Sequence, residues 1–142
     1  MPIVAAVDRS ERAGPIVEEA ARLGTALDLP VHVVHVLTRE EFVGLEQTSV
    51  TQSNRPVPME DVIDGATRVA ERAIEEAGAE ATAVGLMGDP ADEVVSYAEE
   101  HDAEYLVIAG RKRSPVGKAL FGSVVQSVLL EATCPVVSIR AD

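Results

Sequence analysis

The chain has 142 residues, 46% of them hydrophobic, with 24 Asp+Glu against 12 Lys+Arg and a formal net charge of −12. That length suits one domain with a buried core, and the acidity argues against non-specific nucleic-acid binding and against anionic membranes. There is no basic leader before the first apolar run, no apolar stretch near the roughly 18 residues of a membrane span, and a single cysteine, Cys134, which together predict a reducing, cytoplasmic setting.

The elements follow in chain order. Residues 2–7, PIVAAV, predict a short buried strand that ends at Asp8. Ile16, Ala20, Leu23 and Leu27 recur at helical spacing. Pro15 fits the first turn of that helix, where a missing N–H costs nothing. VHVVHVL, 31–37, is the second strand, and His35 among its valines reads as a satisfied structural histidine. Residues 39–58 show no sustained period and predict a long surface loop. Val62, Ala66, Val69 and Ala73 mark a second helix that stops near Gly78.

ATAVGLM, 81–87, is the third strand. The following helix opens with Asp89 as N-cap, Pro90 at its first position and Asp92 near its positive end. EYLVIAG, 104–110, reads as a strand buried on both faces. Phe121, Val124, Val125, Val128 and Leu129 form a fourth helical stripe, and PVVSI, 135–139, is the last strand. Cys134 reads as an inert thiol entering that strand. Strands alternating with helices predict a single-domain α/β fold over 1–142, with a parallel sheet covered on both faces. Only four aromatics are present (Phe42, Tyr97, Tyr105, Phe121), so the core must be aliphatic.

In such sheets ligands lie beyond the carboxyl ends of the strands, where strand order reverses. Two of those ends carry chemistry. Asp8-Arg9-Ser10 follows the first strand, and Gly110 to Ser123 follows the fourth. The second segment holds Arg111, Lys112, Arg113 and Lys118, including both lysines of this acidic chain, together with Gly110, Gly117 and Gly122. Glycines let a ligand approach the backbone, a helix start offers free N–H groups to phosphate, and Arg and Lys supply countercharge. The segment therefore reads as a polyanion site, set against the plainer reading of a solvated, charged connection. No G-x-S-x-G elbow, Walker A loop, receiver-type acidic pair or metal-spaced His/Cys cluster is present.

IVAAVDRS at the start, VVHV at 33–36, GDPADEVVSYA at 88–98, the glycine segment with FGSV, and CPVVSI at the end resemble, in register, the universal stress protein family. The acidity and the preference for Arg over Lys further resemble a haloarchaeal, salt-adapted member. The resemblance implies an open, Rossmann-like five-stranded parallel sheet of order 3-2-1-4-5, and a homodimer formed through the last strand, 135–139. One branch of the family binds ATP through a G-x2-G-x9-G-[ST] loop. Gly110 and Gly122-Ser123 match its ends, whereas Arg113 stands at the middle glycine and the loop is one residue shorter.

Carried over, the resemblance places base and ribose near Ala6, Asp8, Val36 and Ala109, and phosphates on Gly110, Gly122, Ser123 and Val124. Ser10 is shared between ligand and capping roles; Arg111, Lys112, Arg113 and Lys118 are added from charge alone. The expected function is regulatory binding of an adenine nucleotide, ATP first, with or without Mg2+, with an unidentified signalling partner. Catalysis is left open, at most slow or partner-dependent hydrolysis. The alternative is a nucleotide-independent dimerisation or interaction module of the same fold.

Overall fold

The computed structural model describes residues 1–44, 58–110 and 122–140. The strands are β1 (Ile3–Ala6), β2 (Val31–Leu37), β3 (Thr82–Met87), β4 (Tyr105–Gly110) and β5 (Val136–Arg140), and the helices are α1 (Ala13–Leu27), α2 (Met59–Ala77), α3 (Pro90–Glu100) and α4 (Ser123–Glu131). The strands form one sheet in the order β3-β2-β1-β4-β5, every pair parallel. β1 lies at the centre: Ile3 aligns with Val31 on one side and with Tyr105 on the other. The expected α/β architecture and strand order are both present.

Two apolar layers follow from the period-2 alternation of strand side chains. Ile3, Ala5, Val31, Val33 and Val107 face α1 and α2, where Ile16, Val17, Ala20, Ala70 and Ala73 meet them. Val4, Val34, Val36, Leu106 and Ile108 face the other way, onto Ala91, Val94 and Val95 of α3 and Val128 of α4. Strands apolar on both faces belong in a sheet covered on both sides. The edge strands β3 and β5 are only half-buried.

Local signals fix the helix ends. Asp89 caps α3, its Oδ2 accepting from the Asp92 N–H at 3.0 Å, with Pro90 in the first turn. α2 carries Glu60 and Asp61 in its first turn and stops at Gly78, whose φ of 64° suits glycine. Its buried stripe is Val62, Ala66, Ala70 and Ala73, so Ala70 takes the inward place expected of Val69. These small residues let the helix approach the sheet closely. At Gly85 of β3 an added Cβ would meet the Ile63 carbonyl, the Thr67 hydroxyl and, at 2.6 Å, the Thr67 nitrogen.

Three expectations need correction. The first part of the proposed 39–58 loop is helical, over 39–44. Thr38 starts that turn: its Oγ1 accepts from the Glu41 N–H at 3.1 Å and donates to Glu41 Oε1 at 3.1 Å, a variant of the capping box. Phe42 then packs beside Leu37, Val62, Ala66 and Met87. Residues 45–57 lie outside the described residues. Cys134 precedes β5 rather than entering it, and is half-buried; burial pushes its thiol pKa up, the nearby Glu99 carboxylate adding to the effect against a backbone hydrogen bond. Among the described residues His35 has a partner for only one ring nitrogen, as described below. Among the described residues no helix is long and apolar enough to cross a membrane.

Candidate functional site

A cavity of about 350 Å³ opens beyond the carboxyl ends of β2, β1 and β4. Its floor is apolar and comes from the strand ends: Ala6 of β1, Val34 and Val36 of β2, Ile108 and Ala109 of β4. Val94 of α3, with Val125 and Val128 of α4, closes the same space. The polar groups stand around this floor, on four different segments.

Asp8 is the first. The chain leaves β1 after Ala6, Val7 stays buried through its N–H bond to the Val34 carbonyl (2.9 Å), and Asp8 emerges at the cavity. Its Oδ1 accepts from the Ser10 N–H at 2.8 Å and from the Ser10 hydroxyl. The Ser10 Oγ accepts in turn from the Arg12 N–H at 3.2 Å, one of the orphan donors before α1. Arg12 Nη2 lies 3.4 Å from Asp8 Oδ2, an ion pair whose side chains are 30% and 55% exposed. Desolvation raises the Asp8 pKa, but the two Ser10 hydrogen bonds and the Arg12 charge outweigh it and hold the carboxyl below its ordinary value.

The second group is the start of α4. Gly122 is its N-cap, in extended backbone, and among the described residues no side chain caps it. The cavity meets Gly122, Ser123, Val124 and Val125 there. The α3 start is different, because Asp89 already occupies it. An uncapped helix start has free N–H donors and the positive end of the helix dipole.

Thr38 and Glu41 line the far side, at the end of β2. His35 lines the cavity too; its Nδ1 lies 2.9 Å from the Val7 carbonyl, so that nitrogen donates, while its Nε2 is buried with no partner among the described residues. Among the described residues this imidazole is bonded at one nitrogen only, where its valine neighbours predict a fully satisfied core histidine.

Of the residues singled out from sequence, Ala6, Asp8, Val36, Ala109, Gly122, Ser123 and Val124 are brought together around this cavity. Ser10 is not among its lining; it positions Asp8 instead. Gly110 is buried as the last residue of β4, aligned with Arg140, and is not among the lining either. Arg111, Lys112, Arg113 and Lys118 lie outside the described residues. Arg12, Thr38, His35 and Glu41 are additional cavity residues. Only Thr38-x-x-Glu41 had a signal in the sequence, the spacing of a capping box.

A second polar cluster occupies the opposite end of the sheet. His32, early in β2, has its Nδ1 2.7 Å from the Tyr97 hydroxyl, and its ring stands edge-on to that of His101, centroids 5.9 Å apart. His101 stacks on Tyr97 at 3.9 Å and donates from Nδ1 to the Tyr97 carbonyl at 2.9 Å. Burial lowers the His32 pKa, with further contributions from the His101 charge and the chain's amino terminus; burial raises that of Tyr97. Among the described residues no group of three or more His, Cys, Asp or Glu could hold a metal ion.

The universal stress protein family model matches residues 1–140. A universal stress protein of Methanocaldococcus jannaschii is 27% identical over 138 residues, covering 97% of this chain and 81% of that protein. A solved universal stress protein from Archaeoglobus fulgidus is similar with a TM-score of 0.66 and 34% identity, covering 98% of each chain. A universal stress protein from the same organism, solved in complex with dAMP, is similar at a TM-score of 0.61 and 29% identity, covering 98% of this chain and 97% of that one.

Proposed function

The chain belongs to the universal stress protein family, and on that premise we propose that it is a cytoplasmic regulator that binds an adenine nucleotide, ATP first, in a stress response. One observation carries the reading: a single cavity joins Asp8 to the uncapped start of α4 across an apolar floor. A carboxylate that only accepts suits ribose hydroxyls. A free helix start suits phosphate. The floor of valine, isoleucine and alanine suits a flat base. The dAMP complex of the Archaeoglobus fulgidus relative supports the same ligand class. A Mg2+ ion would travel on the phosphates of ATP, in the usual manner of Mg2+ sites.

Titration calorimetry with ATP, AMP and inorganic tripolyphosphate tests this. Micromolar to millimolar binding of ATP and AMP supports it. A folded protein that binds none of the three at millimolar concentration overturns it and favours the second reading, a nucleotide-independent interaction module. Two features favour that alternative: Arg113 at the middle glycine position and the one-residue-shorter loop.

For either reading we infer a homodimer through residues 135–139. β5 pairs only with β4 among the described residues, and Leu130 on the adjoining α4 is 86% exposed. An unpaired apolar strand edge invites a second copy or a signalling partner. Sedimentation at micromolar concentration, in buffer of matched salt, should give a dimer; a monomer throughout overturns the assignment. The net charge of −12 further leads us to infer salt adaptation, with thermal stability that rises along a salt series as repulsion is screened.

A further inference from the structure

We propose that Glu41 selects the base, favouring one that presents an exocyclic amine where the competitor presents a carbonyl. This rests on the nucleotide reading above and specifies one end of the same cavity. Strand order sets the direction in which a ligand would lie. β2, β1 and β4 are consecutive neighbours, and the cavity draws a different chemistry from the end of each: Glu41 beyond β2, Asp8 beyond β1, and Ser123 at the start of the helix that follows β4. A phosphate belongs at the uncapped positive start of α4. Asp8, beyond the middle strand, then meets the sugar. The base is carried to the β2 end, two strand spacings or about 10 Å from β4, which is the scale of a mononucleotide.

Glu41 is well placed to read what arrives there. Its backbone N–H is tied to Thr38 Oγ1, and its Oε1 accepts from the same hydroxyl, both at 3.1 Å. Glu41 is thus tied to the helical turn by its backbone and by one carboxylate oxygen, and its Oε2 has no partner among the described residues. An ionised carboxylate can only accept. Facing the 6-position, it gains a hydrogen bond from the adenine amine and meets a repelling lone pair on the oxygen of a 6-oxo purine, whose only neighbouring donor is N1–H. A carboxylate would oppose a phosphate, so its position at the end away from α4 agrees with the same ligand polarity.

The test compares AMP with IMP, which differ at the 6-position and at N1 (an acceptor in AMP, an N–H donor in IMP), by calorimetry on the full chain and on Glu41→Gln. The wild type should prefer AMP by roughly tenfold, the low end for a hydrogen bond to a charged group, since this one is exposed. Glu41→Gln should reduce the preference to about twofold or less, mainly by tightening IMP, because an amide can donate to the 6-oxo group as well as accept. The variant keeps the backbone cap and should melt with the wild type. Equal wild-type affinities, or a preference that survives Glu41→Gln, overturn the assignment of Glu41 while nucleotide binding stands. Absence of binding by both nucleotides overturns the nucleotide reading and this assignment with it.

Discussion

Ser10 holds Asp8 through two hydrogen bonds to one carboxylate oxygen, the N–H at 2.8 Å and the hydroxyl beside it. Ser10→Ala removes the hydroxyl bond and should raise the Asp8 pKa toward its ordinary value, as read by carboxyl NMR titration. The sign for stability follows. A depressed carboxyl pKa stabilises the fold above the unfolded value, and that contribution is lost as pH falls through the folded one. Ser10→Ala should therefore reduce the acid-dependent part of stability below the ordinary carboxylate pKa of about 4. An Asp8 titration unchanged in the variant would show that Ser10 does not hold it.

Ser123 stands at the start of α4, where phosphate is proposed to bind. Ser123→Ala should cost about 1.5–3 kcal/mol of AMP binding, roughly 10- to 100-fold in Kd. Adenosine affinity should hardly change. Asp8→Ala should do the reverse, weakening AMP and adenosine while sparing tripolyphosphate. Equal losses for adenosine and AMP in Ser123→Ala would remove phosphate from this end of the cavity.

Two glycines should respond with opposite signs. Gly85→Ala sets a methyl against the α2 backbone at Ile63 and Thr67, an overpacking that should cost about 1–3 kcal/mol. Gly65, within α2, has nothing within 4 Å of an added Cβ. Gly65→Ala should stabilise by about 0.5–1 kcal/mol, since alanine loses less chain entropy in a helix. Urea unfolding of both variants measures the pair, and a neutral Gly85→Ala would contradict the close approach.

The His32 cluster should make the fold weaken in mild acid. Burial, then His101 and the amino terminus, lower the His32 pKa. The unfolded chain therefore binds this proton more readily, and stability falls as pH drops below about 6.5 and on through the folded pKa. His32→Gln should flatten that decline between pH 7 and 5. His101→Gln should raise the His32 pKa, followed by imidazole NMR. A decline unaltered by His32→Gln would assign it to other groups.

Most of the fold is legible in the residues because runs such as YLVI at 105–108 are apolar at every position and alternate with helical patterns, as the strands of a doubly covered parallel sheet do. Asp89-Pro90 announces a helix start by chemistry confined to that turn, so it is legible as well. The cavity is less so. Asp8 and Ser123 stand at strand and helix ends where position alone suggests a role. His35 does not, because whether its second nitrogen finds a partner depends on chains that meet only after folding. Thr38-Arg39-Glu40-Glu41 has capping spacing, yet no helical period follows it, so the short turn that brings Glu41 to the cavity reads as loop.

The central place of β1 also dictates an order of events. Ile3 aligns with Val31, 28 residues away, and with Tyr105, 102 residues away. During synthesis β1 can therefore pair with β2 early, while its other edge must wait for most of the chain to emerge. Such distant parallel pairing is slow to form, and the waiting edge is an aggregation hazard. A chain cut before residue 105 would leave that edge open permanently. Premature termination should thus yield a sticky half-sheet instead of a smaller working protein, and a nascent chain would need shielding until β4 arrives.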